Sequence, residues 1–250
     1  MNAPQLSVVV PVHNEAENCG PLLDEIRAAL VGVVPFEVVV VDDKSTDDTL
    51  ARLEVCAASM FELRIIRHGR NTGQSTALRT GVRFARAPLV ATLDGDGQND
   101  PADIPELLAR YREAADVRLL LITGHRTMRR DPFMTRVASR IANAVRGSFL
   151  KDRTPDTGCG LKLFPRDLFL ALPDFDHMHR FLPALVLRAG GQVLSVPVHH
   201  RARTSGRSHY GIHNRVWTGI VDMLGVAWLI RRARLPDAVE HTPSTRERRS

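Results

Sequence analysis

Short apolar runs alternate with helix-period segments through the first half of the chain, and this alternation constrains the fold more than any other sequence feature. The runs are four or five residues long and mostly apolar, as strands covered on both faces should be: 6–10, 37–41, 63–66 and 89–93. Helical patterns separate them: one opened by Asn14, one through Leu50 and Leu53, and one over 73–87. A fourth helix over 101–115 and a fifth strand over 117–123 continue the order. The sequence therefore predicts an α/β fold with a mostly parallel central sheet flanked by helices.

The second half is less regular. It predicts a long basic helix over 132–150, a short strand over 161–164, a helix over 181–189, a strand over 192–198 and an apolar helix over 216–230. No internal repeat and no Gly/Pro-rich linker divides the chain. We expect one domain over 1–235, made of the halves 1–125 and 126–235, and a disordered tail at 236–250.

Charge is unevenly distributed along the 250 residues. Lys and Arg exceed Asp and Glu by 34 to 28, a net charge of +6. Residues 1–125 hold 12 basic and 18 acidic residues, net −6, so residues 126–250 hold 22 and 10, net +12. An anionic partner is therefore expected for the second half: nucleic acid, a membrane surface or a phosphorylated substrate.

Cysteine usage and the apolar runs bear on the cellular compartment. The three cysteines are widely spaced without a Cys-x-x-Cys pair, which argues against a disulfide framework or a zinc ribbon and favours a reducing, cytoplasmic setting. The first residues lack the basic segment followed by an apolar segment that is typical of a signal peptide. The longest apolar run, 216–230, contains Asp222 and is shorter than the ~20 residues of a spanning helix. We expect a cytoplasmic protein with no transmembrane segment, in which an interfacial helix is the alternative for this run.

Carboxylates follow three of the predicted strands, at the edge where open α/β sheets bind ligands. Glu15 follows the first, Asp42 and Asp43 the second, and Asp94 and Asp96 the fourth. Two carboxylates one residue apart, on a turn after a buried strand, suit a hard divalent cation with room for water and phosphate oxygens. The sequence predicts Mg²⁺ or Mn²⁺ at Asp94 and Asp96, bridging a diphosphate.

Several residues near these strand ends can also be explained by a purely structural role. Asn14 and Asp47 also fit as helix caps or turn residues. The segment 71–81 fits either a helix start in which Gly81 allows close packing on the sheet, or a ligand contact. Neither Gly-x-Gly-x-x-Gly nor Gly-x-x-x-x-Gly-Lys-Ser/Thr is present, which disfavours Rossmann dehydrogenases and P-loop nucleotidases.

Five motifs occur in order along the chain: Val10-Pro11-Val12-x-Asn14-Glu15, Val41-Asp42-Asp43-x-Ser45-Thr46-Asp47, Asn71-x-Gly73, Asp94-x-Asp96-x-Gln98 and Asp156-Thr157-Gly158-x-Gly160. Together they resemble the inverting nucleotide-sugar glycosyltransferases of family 2, which have the GT-A fold, and the nearest subgroup is the dolichyl- or polyprenyl-phosphate sugar synthases. The resemblance covers about residues 6–232 and implies a nucleotide-sugar half at 1–125 and an acceptor and membrane half at 126–235 that associates peripherally with the membrane. The resemblance implies transfer of a sugar from a UDP- or GDP-sugar to a polyprenyl or dolichyl phosphate at the cytoplasmic membrane face. The reaction would be metal-dependent and inverting, and would supply a lipid-linked sugar for glycan or lipid A modification in cell envelope biogenesis.

The resemblance also implies a role for each matching residue. Asp94, Asp96 and Gln98 would hold the metal and the diphosphate. Asp96 and Asp156 would be the catalytic residues, Asp156 acting either as a base or by orienting the acceptor. The nucleotide sugar would be bound by residues of the first four motifs: Pro11, Val12, Asn14, Glu15, Asp42, Asp43, Ser45, Gly73, Asp94 and Gln98.

On the acceptor side, Arg126, Arg203 and Ser208 match the residues that bind the acceptor phosphate. Arg203 and Ser208 belong to the segment 196–210, which resembles the phosphate-closing loop of the subgroup. His209 stands there in place of the usual lysine, and Lys44 replaces the common glycine of the Asp-Asp-Gly-Ser motif. A diphosphate and an anionic acceptor repel each other, so a metal on one side and arginines on the other fit this chemistry. The alternative for Arg126 is a solvated loop arginine.

Two segments are candidates for contact with an anionic membrane. In the 132–150 helix an apolar row at every fourth residue lies beside three arginines, with Arg129 and Arg130 just before the helix, which fits either an interfacial helix or a helix packed on the core. The apolar helix 216–230, followed by Arg231, Arg232 and Arg234, is the second candidate.

Two other functions compete with this interpretation. A family 2 enzyme with a saccharide acceptor, acting in cell-envelope polysaccharide synthesis, is disfavoured by the basic loop at 199–215 and by the lack of a Gln-x-x-Arg-Trp motif. A nucleic-acid-binding protein is disfavoured by the 13 aromatic residues and the lack of a recognisable binding motif.

Overall fold

The chain folds around one seven-stranded sheet. The structure is a computed structural model that describes residues 3–126, 147, 150, 152, 154–201 and 212–234, with the side chains of 212–217 left aside. The strands are β1 Leu6–Val12, β2 Phe36–Asp42, β3 Leu63–Arg67, β4 Leu89–Thr92, β5 Leu120–Arg126, β6 Lys162–Pro165 and β7 Gln192–Val198. Their order across the sheet is β3-β2-β1-β4-β6-β5-β7. The strand ends that carry the acidic motifs, those of β2, β1 and β4, are therefore direct neighbours.

The sheet is mostly parallel, as predicted. β1 pairs in parallel with β2 and β4, β2 with β3, and β5 with β7. The exception is β6, which runs antiparallel to both β4 and β5. The fifth strand begins at Leu120 rather than 117 because a turn held by Asp116 precedes it, where the Asp116 carboxylate accepts from the backbone N–H of Arg118. Arg126 is consequently the last residue of a strand rather than part of a loop.

Helices cover both faces of the sheet. They are α1 Ala16–Leu30, α2 Thr49–Ala57, α3 Gln74–Phe84, α4 Ile104–Glu113, α5 Arg166–Ala171, α6 Leu182–Arg188 and α7 Ile212–Arg231, with 3₁₀ turns at Pro101–Asp103 and Met178–Arg180. The prediction that Asn14 opens α1 is wrong, because Asn14 has φ 58° and its side-chain oxygen accepts from the Thr46 N–H at 2.8 Å. The sequence analysis missed α5 and the 3₁₀ turn at Met178–Arg180.

The core consists of two apolar layers. Side chains of α1, α2 and α4 pack on one face of the sheet, and those of α3, α5, α6 and α7 on the other. Gly81 of α3 has a packing role, since a Cβ there would overlap Val9 and lie 3.2 Å from Val41. The packing interpretation of this glycine is thus confirmed.

Two predicted segments fall outside the described residues: the basic helix 132–150, of which only positions 147 and 150 are described, and the tail 236–250. Among the helices that the structure does describe, none is long and apolar enough to cross a membrane.

Candidate functional site

The loops that follow β1 and β2 are joined by hydrogen bonds between residues predicted to bind the nucleotide sugar. The N–H of Asn14 donates to Ser45 Oγ at 3.0 Å, and the N–H of Ser45 donates to Asp42 Oδ1 at 2.8 Å. Glu15 accepts from the Asn18 amide at 2.6 Å. The motifs at these two strand ends therefore form one connected surface.

Asp43 shapes the neighbouring loop that leads into α3. It is 3% exposed and accepts from Thr72 N–H, Thr72 Oγ1 and, at 2.7 Å, the N–H of Gly73. The ring of His68 lies 2.7 Å from its Oδ1. Burial alone would raise the pKa of Asp43, but these hydrogen bonds outweigh it and hold the pKa below its usual range. Asp43 thus fixes the position of Gly73, whose φ of 86° suits glycine.

Asp42 is fully buried at the end of β2. Its Oδ2 lies 3.5 Å from Arg67 Nε and makes no hydrogen bond within the described residues. Pro11 and Val12 are also buried, and they form the wall against which the Asp94–Gly97 turn packs, since a Cβ at Gly95 would come within 2.8 Å of the Pro11 carbonyl. Contact of these residues with a nucleotide stays a prediction.

The Asp94–Gln98 segment forms a compact turn after β4. Asp96 Oδ1 accepts from the Gln98 N–H at 3.1 Å, Gly97 has φ 71°, and Asp94 N–H donates to Asn99 Oδ1 at 3.3 Å. Burial, together with the nearby charge of Asp96, raises the pKa of Asp94 to about 6. Burial and Asp96 thus disfavour the ionised form of Asp94, whereas the charges of Lys162 and Arg126 and the hydrogen bond from Gln74 favour it.

These donors fit a divalent cation. Carboxylate oxygens are ligands that Mg²⁺ and Mn²⁺ prefer, and a cation would favour the ionised form of Asp94, which burial and the charge of Asp96 disfavour. No group of three or more His, Cys, Asp or Glu side chains suited to a metal occurs within the described parts of the chain. A metal at this turn would take carboxylate oxygens from Asp94 and Asp96, and Gln98, water and a substrate's phosphates could complete its shell.

Opposite this turn lies a bidentate ion pair. Arg126, at the end of β5, donates from Nε to Asp156 Oδ2 at 2.6 Å and from Nη2 to Asp156 Oδ1 at 2.8 Å. Burial alone would lower the pKa of Arg126, but Asp156 raises it, so the guanidinium stays charged. Arg126 is therefore not a solvated loop arginine. A Cβ at Gly158 would lie 3.1 Å from its Nη2, so this glycine leaves room for the guanidinium.

The two halves of the site touch at Gly160. A Cβ there would overlap the carboxylate of Asp94 and lie 2.7 Å from Asn99 Oδ1. Glycine at this position lets the Asp156–Gly160 turn approach Asp94. The structure thus brings together the last two motifs, which are some 60 residues apart in the chain.

The segment after β7 also reaches the Asp94–Gln98 turn. The N–H of Arg201 donates to the Gln98 carbonyl at 3.0 Å, and His200 forms an isolated bridge with Asn99. The Arg201 guanidinium pairs with Glu25 and Asp100. Arg203 and Ser208 follow within 202–211, outside the described residues, so their role stays a prediction.

Sequence analysis missed several residues of this region. Asn99 joins the two turns, since its Nδ2 lies 3.7 Å from Cys159 Sγ while its Oδ1 accepts from Asp94. Gln74 donates to Asp94 Oδ1 at 2.7 Å, and Ser75 Oγ lies 2.6 Å from the His179 ring. Gln74 and Ser75 fell within the 71–81 pattern without an assigned role. Lys162 and His179 gave no sequence signal, because only the antiparallel β6 and the unpredicted 3₁₀ turn place them here.

The strand order, the acidic turn after β4 and the helices on both faces define a GT-A-type α/β fold, and the solved structures agree. A mannosyltransferase from Pyrobaculum calidifontis, solved with GDP-Man and Mn²⁺, superposes with a TM-score of 0.68 at 23% identity over 94% of this chain and 66% of that one. Glucosyl-3-phosphoglycerate synthase from Mycobacterium tuberculosis, solved with Mn²⁺, UDP and glucosyl-3-phosphoglycerate, gives a TM-score of 0.67 at 19% identity over 94% of this chain and 82% of that one.

Sequence comparison identifies the family. The profile of glycosyl transferase family 2 matches residues 7–172, and the chain belongs to this family. Dodecaprenyl-phosphate galacturonate synthase of Rhizobium johnstonii is 36% identical over 237 residues, which cover 93% of this chain and 69% of that protein. Undecaprenyl-phosphate 4-deoxy-4-formamido-L-arabinose transferase of Enterobacter sp. is 32% identical over 209 residues, covering 82% and 62%. The chain thus spans less than two thirds of the latter relative's length.

Proposed function

We propose that this chain transfers a sugar from a nucleotide-diphosphate sugar to a polyprenyl phosphate, with a divalent metal and with inversion at the anomeric carbon. The observation that carries the proposal is the contact, through Gly160, between an acidic turn suited to a metal and a buried Arg126–Asp156 pair. The names of the sequence relatives, which are synthases and transferases of polyprenyl-phosphate sugars, support it.

The donor would bind along the ends of β1, β2 and β4. Asp94 and Asp96, with Gln98, would hold the metal, and the loops fixed by Asn14 and Asp43 would form the surface for the nucleoside. When bound, Mg²⁺ or Mn²⁺ neutralises the diphosphate as it leaves. The metals and nucleotides in the solved structures support this assignment, and they leave UDP and GDP equally open.

The acceptor phosphate would bind on the Arg126 side. Asp156 presents both its oxygens to Arg126 and orients the guanidinium, which supports a role for Asp156 in orienting the acceptor rather than as a base. A phosphate monoester has a second pKa near 6 and is already mostly deprotonated at neutral pH, so this acceptor needs no base. A saccharide hydroxyl would need one. The geometry therefore favours a phosphate over a saccharide acceptor.

The lipid acceptor requires contact with a membrane, and α7 supplies a candidate surface. Ile220, Val221, Leu224 and Trp228 are exposed on this helix, at 38%, 52%, 55% and 60%. Arg231, Arg232 and Arg234 follow at its end. This combination suits peripheral binding to an anionic leaflet, and we infer the cytoplasmic face because nucleotide sugars are the donors.

The test is direct transfer. Purified protein with Mn²⁺ is screened by thermal shift against UDP- and GDP-sugars, and the donors that bind are then incubated with a short polyprenyl phosphate. We expect a prenyl-phosphate sugar of inverted anomeric configuration, identified by mass spectrometry and NMR, and no product in EDTA. Product formed only with saccharide acceptors would overturn the acceptor assignment.

A further inference from the structure

Lys162 is a buried cation for which the reaction proposed above has no role. The chain has only three lysines, and this one is 4% exposed at the start of β6. Across the sheet it faces Thr92 of β4 and Thr123 of β5. β5 ends in Arg126, and Asp94 follows two residues after the end of β4, so Lys162 lies between the metal side and the acceptor side of the site.

Lys162 contacts the turn that joins these two sides. Its Nζ donates to the carbonyl of Cys159, and Thr92 Oγ1 donates to the carbonyl of Gly160 at 2.7 Å. The two bonds fasten the Asp156–Gly160 turn to β6 and β4. Because Asp156 in turn holds the Arg126 guanidinium, the position of Arg126 depends on this attachment.

A charged side chain makes this hydrogen bond only at a high desolvation cost. A hydrogen bond to a carbonyl needs only a neutral donor, and burying an ammonium costs several kcal/mol unless opposite charges compensate. Burial lowers the pKa of Lys162, while the nearby Cys159, Asp94 and Asp156 act to raise it. Lys162 thus sits among the carboxylates of both sides, where its charge opposes their mutual repulsion.

We propose that Lys162 is a positioning residue that holds the Asp156–Gly160 turn, and with it the Asp156–Arg126 pair, in place against Asp94. Its kinetic test rests on the proposed function, in which Arg126 binds the acceptor phosphate. On the donor side, Asn99 and Gln74 both hydrogen-bond to Asp94 and hold it in place. We therefore expect loss of Lys162 to impair use of the acceptor selectively.

The test variant is Lys162→Met, which keeps the length of the side chain and removes its charge. We expect kcat/KM for the polyprenyl phosphate to fall at least about tenfold. Affinity for Mn²⁺ with the nucleoside diphosphate, measured by titration calorimetry, should stay the same or tighten, because the lost ammonium repels a divalent cation. Unchanged kcat/KM, or parallel loss of Mn²⁺ affinity and acceptor use, would overturn the proposal.

Two controls separate positioning from general damage. Phe164→Leu alters a buried residue on the same face of β6 and should lower stability without selective loss of acceptor use. Lys162→Arg keeps the charge and a donor, so it should retain more acceptor kcat/KM than Lys162→Met. Equal loss in both Lys162 variants would count against the role of the charge.

Hydrogen exchange tests the role of Lys162 without any substrate, so its result does not depend on the proposed function. Hydrogen exchange of the amides at 156–161 should be faster in Lys162→Met than in the wild type, while exchange at 94–99 stays unchanged. If the wild type transfers no sugar to a polyprenyl phosphate, the proposed function fails, and exchange still decides the role of Lys162. Unaltered exchange at 156–161 would overturn it.

Discussion

At the scale of single residues, two carboxylates that look alike in the sequence have opposite environments. Asp43 accepts three hydrogen bonds from Thr72 and Gly73 beside the His68 ring, and its pKa is lowered. Asp94 accepts one from Gln74 beside the charge of Asp96, and its pKa rises to about 6. Hydrogen bonds outweigh burial at Asp43, whereas at Asp94 burial and the charge of Asp96 outweigh the help of Lys162, Arg126 and Gln74, so a bound cation would stabilise its ionised form further.

This contrast predicts a pH-dependent stability. Because the folded state raises the pKa of Asp94 from 3.8 to about 6, it binds the proton more tightly than the unfolded chain. The stabilisation is therefore present below about pH 4 and is lost as the pH rises through 6, by about 3 kcal/mol at most. Asp94→Asn removes this loss, so the variant should gain stability over the wild type between pH 4.5 and 7.5.

Chemical denaturation in EDTA at these two pH values measures the difference. Mn²⁺ should restore stability to the wild type at pH 7.5 and have little effect on Asp94→Asn. A constant difference between the two proteins across this pH range would contradict the environment assigned to Asp94.

Asp96 allows a sharper test of function. In Asp96→Asn the side-chain oxygen can still accept from the Gln98 N–H, so the turn should be retained while one negative charge is lost. We expect metal-dependent transfer to fall about 100-fold, which corresponds to about 2.7 kcal/mol of transition-state stabilisation. Asp116→Asn, at an exposed carboxylate outside the site, serves as the matched control. Full activity of Asp96→Asn would refute the metal assignment.

At the scale of elements, the positions of the strands were largely predictable, but the direction and the neighbours of β6 were not. The central parallel strands β1 and β2 are buried along nearly their whole length and read as continuous apolar runs. β6 is four residues long and begins with a lysine, so neither its direction nor its place between β4 and β5 could be predicted from pattern. The contribution of β6 to the site is therefore visible only in the structure. The same is true of Lys162 and of the contact at Gly160.

That contact predicts the effect of one added methyl group. In Gly160→Ala the new Cβ would overlap Asp94 and crowd Asn99, so the two turns must separate. We expect transfer to fall at least about tenfold, since small displacements of reacting groups can cost up to 100-fold. Gly20→Ala, in α1 with no atom within 4 Å of the new Cβ, should leave transfer unchanged and stabilise the helix by about 0.5–1 kcal/mol. Equal transfer rates in the two variants would argue against the proximity of Asp94 to the turn.

At the scale of the whole molecule, the acidic and basic halves of the sequence build one sheet. The halves meet through ion pairs, such as Arg201 with Glu25 and Asp100, and Arg79 with Asp174. The charge of Arg201, which belongs to the basic half, is therefore offset by acids of the first half. The charge that remains for an anionic partner includes the arginines at the end of α7.

The exposed apolar residues of α7 give the last prediction. Leu224 and Trp228 are four residues apart and therefore share one face of the helix, where each should contribute about 1.5–3 kcal/mol if buried in a membrane. The double variant Leu224→Gln/Trp228→Gln should bind vesicles with 30% anionic lipid at least about tenfold more weakly than the wild type, at unchanged Tm, in a sedimentation assay.

Phe61→Gln is the matched control, because Phe61 is 80% exposed and lies outside α7. Raising the salt from 0.1 to 0.5 M should weaken binding of the wild type and the control alike, because the arginines contribute electrostatically. Equal vesicle binding by the double variant and the control would show that α7 is not the docking surface.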